Sequence, residues 1–136
     1  MGKFRLVIVI LLLAAGAVLV TMKGTRRQSL AAGTGLMIVA VPLLLVSRIQ
    51  LGRAFSVAPK ASILVTHGLY SKIPHPMYAF LDLALLGVII ALRAPWIVIP
   101  WLILVTVQGW QARREARVLE QAFGDAYRKY RAQAWW

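Results

Sequence analysis

The polar and aromatic side chains with chemistry to offer gather in two stretches of this 136-residue chain. The first reads Gly68-Leu69-Tyr70-Ser71-Lys72-Ile73-Pro74-His75-Pro76-Met77-Tyr78. Prolines on both sides of His75 fix the local backbone and bias the residues before them away from the helical region. Pro76 suits the first position of a helix, where a missing amide hydrogen costs nothing. His75 then stands beside a helix N-terminus, a place that favours anionic groups, with Tyr78 in the first turn. A rigid interfacial turn bearing an aromatic belt would have the same pattern. The second stretch reads Arg113-Arg114-Glu115-Ala116-Arg117-Val118-Leu119 and resumes at Phe123-Gly124-Asp125-Ala126-Tyr127-Arg128-Lys129-Tyr130. Glu115 in it can pair with a cationic group of a ligand, or with a nearby arginine on a solvated helix face.

A third candidate stands apart. Asp82 is the one acid inside an apolar run, and a carboxylate at membrane depth is a functional candidate by default. A helix–helix hydrogen bond to Gln108 or Thr106 accounts for it equally well. The chain has no cysteine, which excludes disulfides, thiolate nucleophiles and cysteine-based metal sites. His67 and His75 are its only side chains that ordinarily titrate near neutrality.

The elements that must position these groups are apolar. Hydrophobic residues make up 60% of the chain and the mean hydropathy is +0.73, well above the usual share of about 45–50% apolar residues in a soluble domain. A chain of this length makes one domain, and lipid is the medium that can cover the excess. Four apolar runs, residues 4–22, 30–47, 77–92 and 96–110, are read as membrane-spanning helices. The first also has the form of a signal peptide, but its length and the second run directly behind it favour a retained helix. Pro42 and Pro100 are expected to bend the second and fourth runs. Between the second and third lies a basic, partly apolar loop, residues 48–76, suited to the headgroup layer. Arg93-Ala94-Pro95 joins the last two runs as a tight hairpin. The tail, residues 111–136, has an amphipathic helical pattern with Val118, Leu119, Ala122 and Phe123 on one face; Trp135 and Trp136 read as interfacial anchors.

Orientation follows from charge. Lys3, Arg5, Arg48, Arg53, Lys60, Lys72, Arg113, Arg114, Arg117, Arg128, Lys129 and Arg131 fall on one side of such a bundle. Lys23, Arg26, Arg27 and Arg93 fall on the other. The positive-inside rule puts both termini and the long loop in the cytoplasm. Basic residues arranged around apolar runs point to a membrane surface and away from nucleic acid.

The two polar stretches together resemble the isoprenylcysteine carboxyl methyltransferase family and its phospholipid N-methyltransferase relatives. That family carries G-x-Y-x-x-x-R-H-P-x-Y before one membrane helix and E-E-x-x-L-x-x-x-F-G-x-x-Y-x-x-Y after the next. Here they read GLYSKIPHPMY and EARVLEQAFGDAYRKY. Arg48-Ile49-Gln50-Leu51-Gly52 and Leu64-Val65-Thr66-His67-Gly68 are similar to further family pieces, so the likeness spans about residues 48–131. The resemblance implies an S-adenosylmethionine pocket lined by Tyr70, His75, Pro76, Met77 and Tyr78. It also implies that Leu64 and Val65 pack against the cofactor and that Glu115 contacts it from the tail. Pro74 stands where the family has arginine, Ala116 where it has a second glutamate, and Gln111 where a substrate-binding arginine is expected. Gln111 and Arg114 are accordingly the substrate-side candidates.

The expected protein is thus an all-α integral membrane protein, with four transmembrane helices and an amphipathic cytoplasmic C-terminal helix. It would methylate a lipid-like or prenylated acceptor that enters from the bilayer, with S-adenosylmethionine entering from the cytoplasm. The sulfonium activates the methyl group, so the protein has mainly to align donor and acceptor. Two rivals are a small four-helix transporter working through Asp82 and an inactive family member serving as a membrane scaffold.

Overall fold

The computed structural model describes residues 2–52 and 64–134. These form five α-helices: α1 (Gly2–Lys23), α2 (Arg26–Leu51), α3 (Pro76–Leu92), α4 (Val98–Phe123) and α5 (Asp125–Gln133). Short 3-10 turns at Gly68–Ser71 and Pro95–Ile97 precede α3 and α4. No strand occurs among the described residues, in agreement with the all-α expectation. The middle of the long loop, with Arg53 and Lys60, lies outside the described residues, as do Trp135 and Trp136. Among the described helices, α2 alone is both long and apolar enough to cross a membrane; the Val7–Lys23 stretch of α1 and all of α3 are shorter apolar helices.

Three local features differ from the expectation. The basic turn between the first two runs is shorter, because α2 already begins at Arg26. Thr25 and Gln28 explain this: the Gln28 amide donates to the Thr25 hydroxyl at 3.2 Å and the Thr25 amide to the Gln28 side-chain oxygen at 2.9 Å. This reciprocal capping box satisfies two amides that the helix itself leaves unpaired. Pro100 is the third residue of α4, within the first turn, where proline removes no internal hydrogen bond. The tail is also not a separate helix from residue 111. Helix α4 runs unbroken to Phe123, since Ala112 to Gln121 consists mostly of strong helix formers. The chain turns instead at Gly124, whose φ of 51° suits glycine.

Helices α2 and α3 pack antiparallel with their backbones in contact. A Cβ on Gly33 would lie 2.4 Å from the Gly87 carbonyl oxygen and 2.5 Å from the Ala91 nitrogen. Glycine at this crossing permits the close approach typical of membrane helix pairs. Helix α1 adds Ala14 and Ala17 to a core of Leu86, Ile89, Ile90, Val98 and Trp101. At the same end Arg93, in the left-handed region at φ 54°, closes α3. Its guanidinium donates to the Gly24 carbonyl and, at 3.3 Å, to the Ser29 hydroxyl. One side chain thereby ties the α3 hairpin turn to the α1–α2 turn. Outward-facing residues such as Leu12, Ile38, Ile49, Ile99 and Ile103 leave the exterior strongly apolar.

Candidate functional site

The opposite end of the bundle is polar. The loop returning to α3 is held by Gln50 near the end of α2, whose side-chain oxygen accepts from the Leu69 amide at 2.9 Å. Gly68 has φ 60°, and a Cβ there would come within 2.4 Å of the Gln50 side chain. Glycine lets the backbone approach this glutamine and turn into the short 3-10 segment that buries Tyr70. His75 then sits at the N-cap of α3 and Pro76 fills its first position, as the proline pattern predicts.

Helix α4 brings Glu115 to the same place. The Tyr78 hydroxyl donates to Glu115 Oε1 at 2.6 Å, and His75 Nδ1 lies 3.4 Å from Oε2. The His75 and Tyr78 rings are stacked, with centroids 5.5 Å apart and planes inclined by 14°. Gln111, one turn before Glu115, hydrogen-bonds both Tyr78 and Glu115. Burial alone would push the Glu115 carboxyl up. Hydrogen bonds from His75 and Tyr78, the His75 charge and Gln111 outweigh it and hold the group below its ordinary value. The site therefore keeps an anionic carboxylate in a partly buried setting.

Helix α5 returns two tyrosines towards this cluster. Tyr127 and Tyr130 are buried, with ring centroids 6.2 Å apart. Burial pushes the Tyr130 hydroxyl up to about 12, with Tyr127 adding to the effect. Burial, then Tyr130 and Glu115, raise the Tyr70 hydroxyl against a smaller opposing effect of Arg48. The Tyr130 hydroxyl is buried without a hydrogen-bond partner among the described residues. Helices α4 and α5 also form a shallow, open cleft of about 320 Å³ lined by Ala116, Glu120, Tyr127, Arg128 and Arg131. Arg128 braces its rim, donating to Glu120 at 3.0 Å and to Asp125 at 3.3 Å.

The structure thus gathers His75, Tyr78, Glu115 and Gln111 from the residues singled out in the sequence, and sets Tyr70 within electrostatic reach of Glu115. Pro76 is buried and Met77 partly buried in the adjoining first turn of α3. Leu64 and Val65 are partly buried where the described chain resumes. Arg114 is placed differently: it is exposed, with its guanidinium 4.7 Å from the centre of the Trp110 ring. Sequence reasoning passed over Gln50 as a clamp and Tyr130 as part of the site. The Tyr127–Tyr130 spacing, which closes the second family-like stretch, was the available signal.

Asp82 lies one turn beyond Tyr78 on α3 and hydrogen-bonds Gln108 of α4. Thr106 is not its partner, since that hydroxyl donates to the Leu102 carbonyl at 2.8 Å.

The fold and site define a protein that is all-helical among the described residues, with an apolar exterior and a polar side-chain cluster at the N-terminal end of α3. The phospholipid methyltransferase family matches residues 28–126, most of the chain including both polar stretches, and the chain belongs to that family. It is therefore a methyltransferase of the membrane and lipid type. Searches of curated proteins and of solved structures gave no match.

Proposed function

We propose that this protein transfers a methyl group from S-adenosylmethionine to a lipid-like or isoprenylated acceptor at the cytoplasmic membrane face. The observation that carries the reading is the convergence of His75, Tyr78 and Glu115, which lie far apart in sequence, on one another. In this reading α1, α2, α3 and the apolar half of α4 span the bilayer, with both termini cytoplasmic.

The chemistry of the site fits the cofactor. Glu115 is an anionic acceptor for a hydroxyl or ammonium group. The stacked His75–Tyr78 pair offers an aromatic surface for a purine. The partnerless Tyr130 hydroxyl is a further donor in reach of the same end. Pro76, Met77, Tyr70, Leu64 and Val65 would supply the apolar walls. When bound, S-adenosylmethionine supplies a methyl group already activated by positive sulfur. The residues of this chain bind, orient and exclude water. Glu115, now satisfied internally by Tyr78 and His75, would exchange one of those bonds for a ligand bond.

Labelled S-adenosylmethionine incubated with the detergent-solubilised protein and a membrane lipid extract should transfer label to the lipid fraction. Absence of transfer across lipid and prenylated acceptors would favour the inactive scaffold.

A further inference from the structure

One face of α4 runs without a break from apolar residues into cations. Ile99, Ile103, Val107 and Trp110 are exposed along it. Arg114 and Arg117 continue the same face at helical spacing, with Arg113 flanking it. From Ile99 to Trp110 the helix rises about 16 Å, close to the hydrocarbon depth of one leaflet. Trp110 ends the apolar part, where tryptophan suits a membrane–water boundary. The Arg114 guanidinium lies over its ring, 4.7 Å from the centre. All three arginines are exposed. None of the chain's four acids pairs with them among the described residues. Glu115 is engaged by His75 and Tyr78, Glu120 and Asp125 by Arg128, and Asp82 by Gln108. An apolar track thus ends in three positive charges that the protein itself does not balance.

We propose that this face of α4 holds an acidic phospholipid of the cytoplasmic leaflet. The proposal rests on the reading in which the apolar half of α4 lies in the bilayer. An acyl chain follows Ile99, Ile103 and Val107, and the negatively charged headgroup meets Arg113, Arg114 and Arg117. Charge selects this occupant over a zwitterionic lipid. Guanidinium groups pair well with phosphate oxygens. Three of them within about 6 Å of helix repel one another, and only a headgroup with net negative charge relieves that repulsion. A zwitterionic headgroup brings its own cation to the same place. The apolar track sets the depth, so the phosphate arrives beside the arginines and Trp110. Glu115 leaves the same turn of α4 on the side away from Arg114 and Arg117, towards His75 and Tyr78. The acidic lipid therefore anchors the turn from which Glu115 reaches the cofactor cluster. It is a partner of the scaffold, distinct from the methyl acceptor.

The test reads lipid binding directly and needs no cofactor. The full chain is reconstituted into phosphatidylcholine vesicles that contain rising fractions of phosphatidylglycerol or phosphatidylcholine brominated in the upper acyl chain. Quenching of tryptophan fluorescence is the readout, and the part that disappears in Trp110→Phe reports this face of α4. The parent should prefer phosphatidylglycerol by about fivefold or more, the effect of at least one basic residue beside an anionic headgroup. High salt should shrink that preference. Exchanging Arg113, Arg114 and Arg117 together for glutamine should bring the two lipids close to parity. The same exchange at Lys23, Arg26 and Arg27 removes equal charge from the other end of the bundle and should leave the preference in place. Equal quenching of the parent by the two lipids overturns the proposal, as does a preference that survives the loss of the three arginines. The parent comparison and its salt dependence stand even where a variant fails to fold. A parent chain that alkaline carbonate washes from the vesicles would count against the bilayer reading itself. Full retention with equal quenching overturns the lipid site alone, so the two failures are separable.

Discussion

The Tyr78–Glu115 contact can be weighed by a double-mutant cycle. Tyr78→Phe removes the hydroxyl that donates to Glu115 at 2.6 Å, and Glu115→Ala removes the acceptor. A hydrogen bond to a charged group contributes about 1.5–3 kcal/mol when well shielded. The Glu115 side chain is 22% exposed, so water weakens the bond somewhat, and a coupling of about 1–2 kcal/mol is expected. The single changes should be unequal. Glu115→Ala also strands His75 and Gln111, so it should cost more than Tyr78→Phe, which leaves the carboxylate two other partners. Reversible unfolding of the cofactor-free protein in mixed micelles, followed by circular dichroism, gives all four free energies. A coupling below about 0.3 kcal/mol, within the usual additivity error, would show that the two side chains do not meet, and would remove the geometric basis of the site.

Other outcomes follow from the same structure. Gly33→Val drives its side chain into the Gly87 and Ala91 backbone and should destabilise by about 1–3 kcal/mol or more. Gly16→Val, with nothing within 4 Å of its Cβ, should be far milder; equal losses would refute the close α2–α3 crossing. Reporter fusions at the C-terminus should report cytoplasm and insertions in the Gly24–Thr25 turn the opposite side, and the reverse pattern would sink the termini-in arrangement. The Glu115 carboxyl is depressed from its ordinary 4.5, so its stabilising contribution is complete above that value and is lost as pH falls through the lower folded one. The stability gap between parent and Glu115→Gln should therefore persist from neutrality to about pH 4.5 and close only below it. A gap that closes above pH 5 would contradict the depressed carboxyl.

How far the sequence reached depended on the range of each interaction. The start of α3 at Pro76, with His75 before it, is written into the two prolines and appears as expected. The Thr25–Gln28 capping box is equally local, but it lies outside the apolar runs that mark the helices. The unbroken α4 follows from helix formers across residues 112–121, although the change from apolar to charged composition near Trp110 suggested a boundary. Composition marks where the apolar surface ends, and backbone propensity marks where the helix ends. The Gly33–Gly87 crossing has no local signal, because each glycine is needed by a partner more than fifty residues away. For the site, the hairpin and the family resemblance together brought His75, Tyr78 and Glu115 to one depth. Spacing alone favoured an arginine partner for Glu115 on a solvated helix face. The placement of Arg114 on Trp110 and of Gln111 in the cluster reflects helical phase, since Gln111 precedes Glu115 by four residues and Arg114 by only one.

The central claim is that one cofactor is held jointly by the loop before α3 and the far half of α4. Calorimetric titration of S-adenosylhomocysteine into the detergent-solubilised protein tests it most directly. The parent should bind, and Glu115→Ala and His75→Ala should each bind roughly ten- to a hundred-fold more weakly, the loss expected for one hydrogen bond involving a charged group. Ala116→Glu, facing the neighbouring α4–α5 cleft, should bind at least as well as the parent. Unchanged affinity in both Glu115→Ala and His75→Ala would contradict the shared pocket.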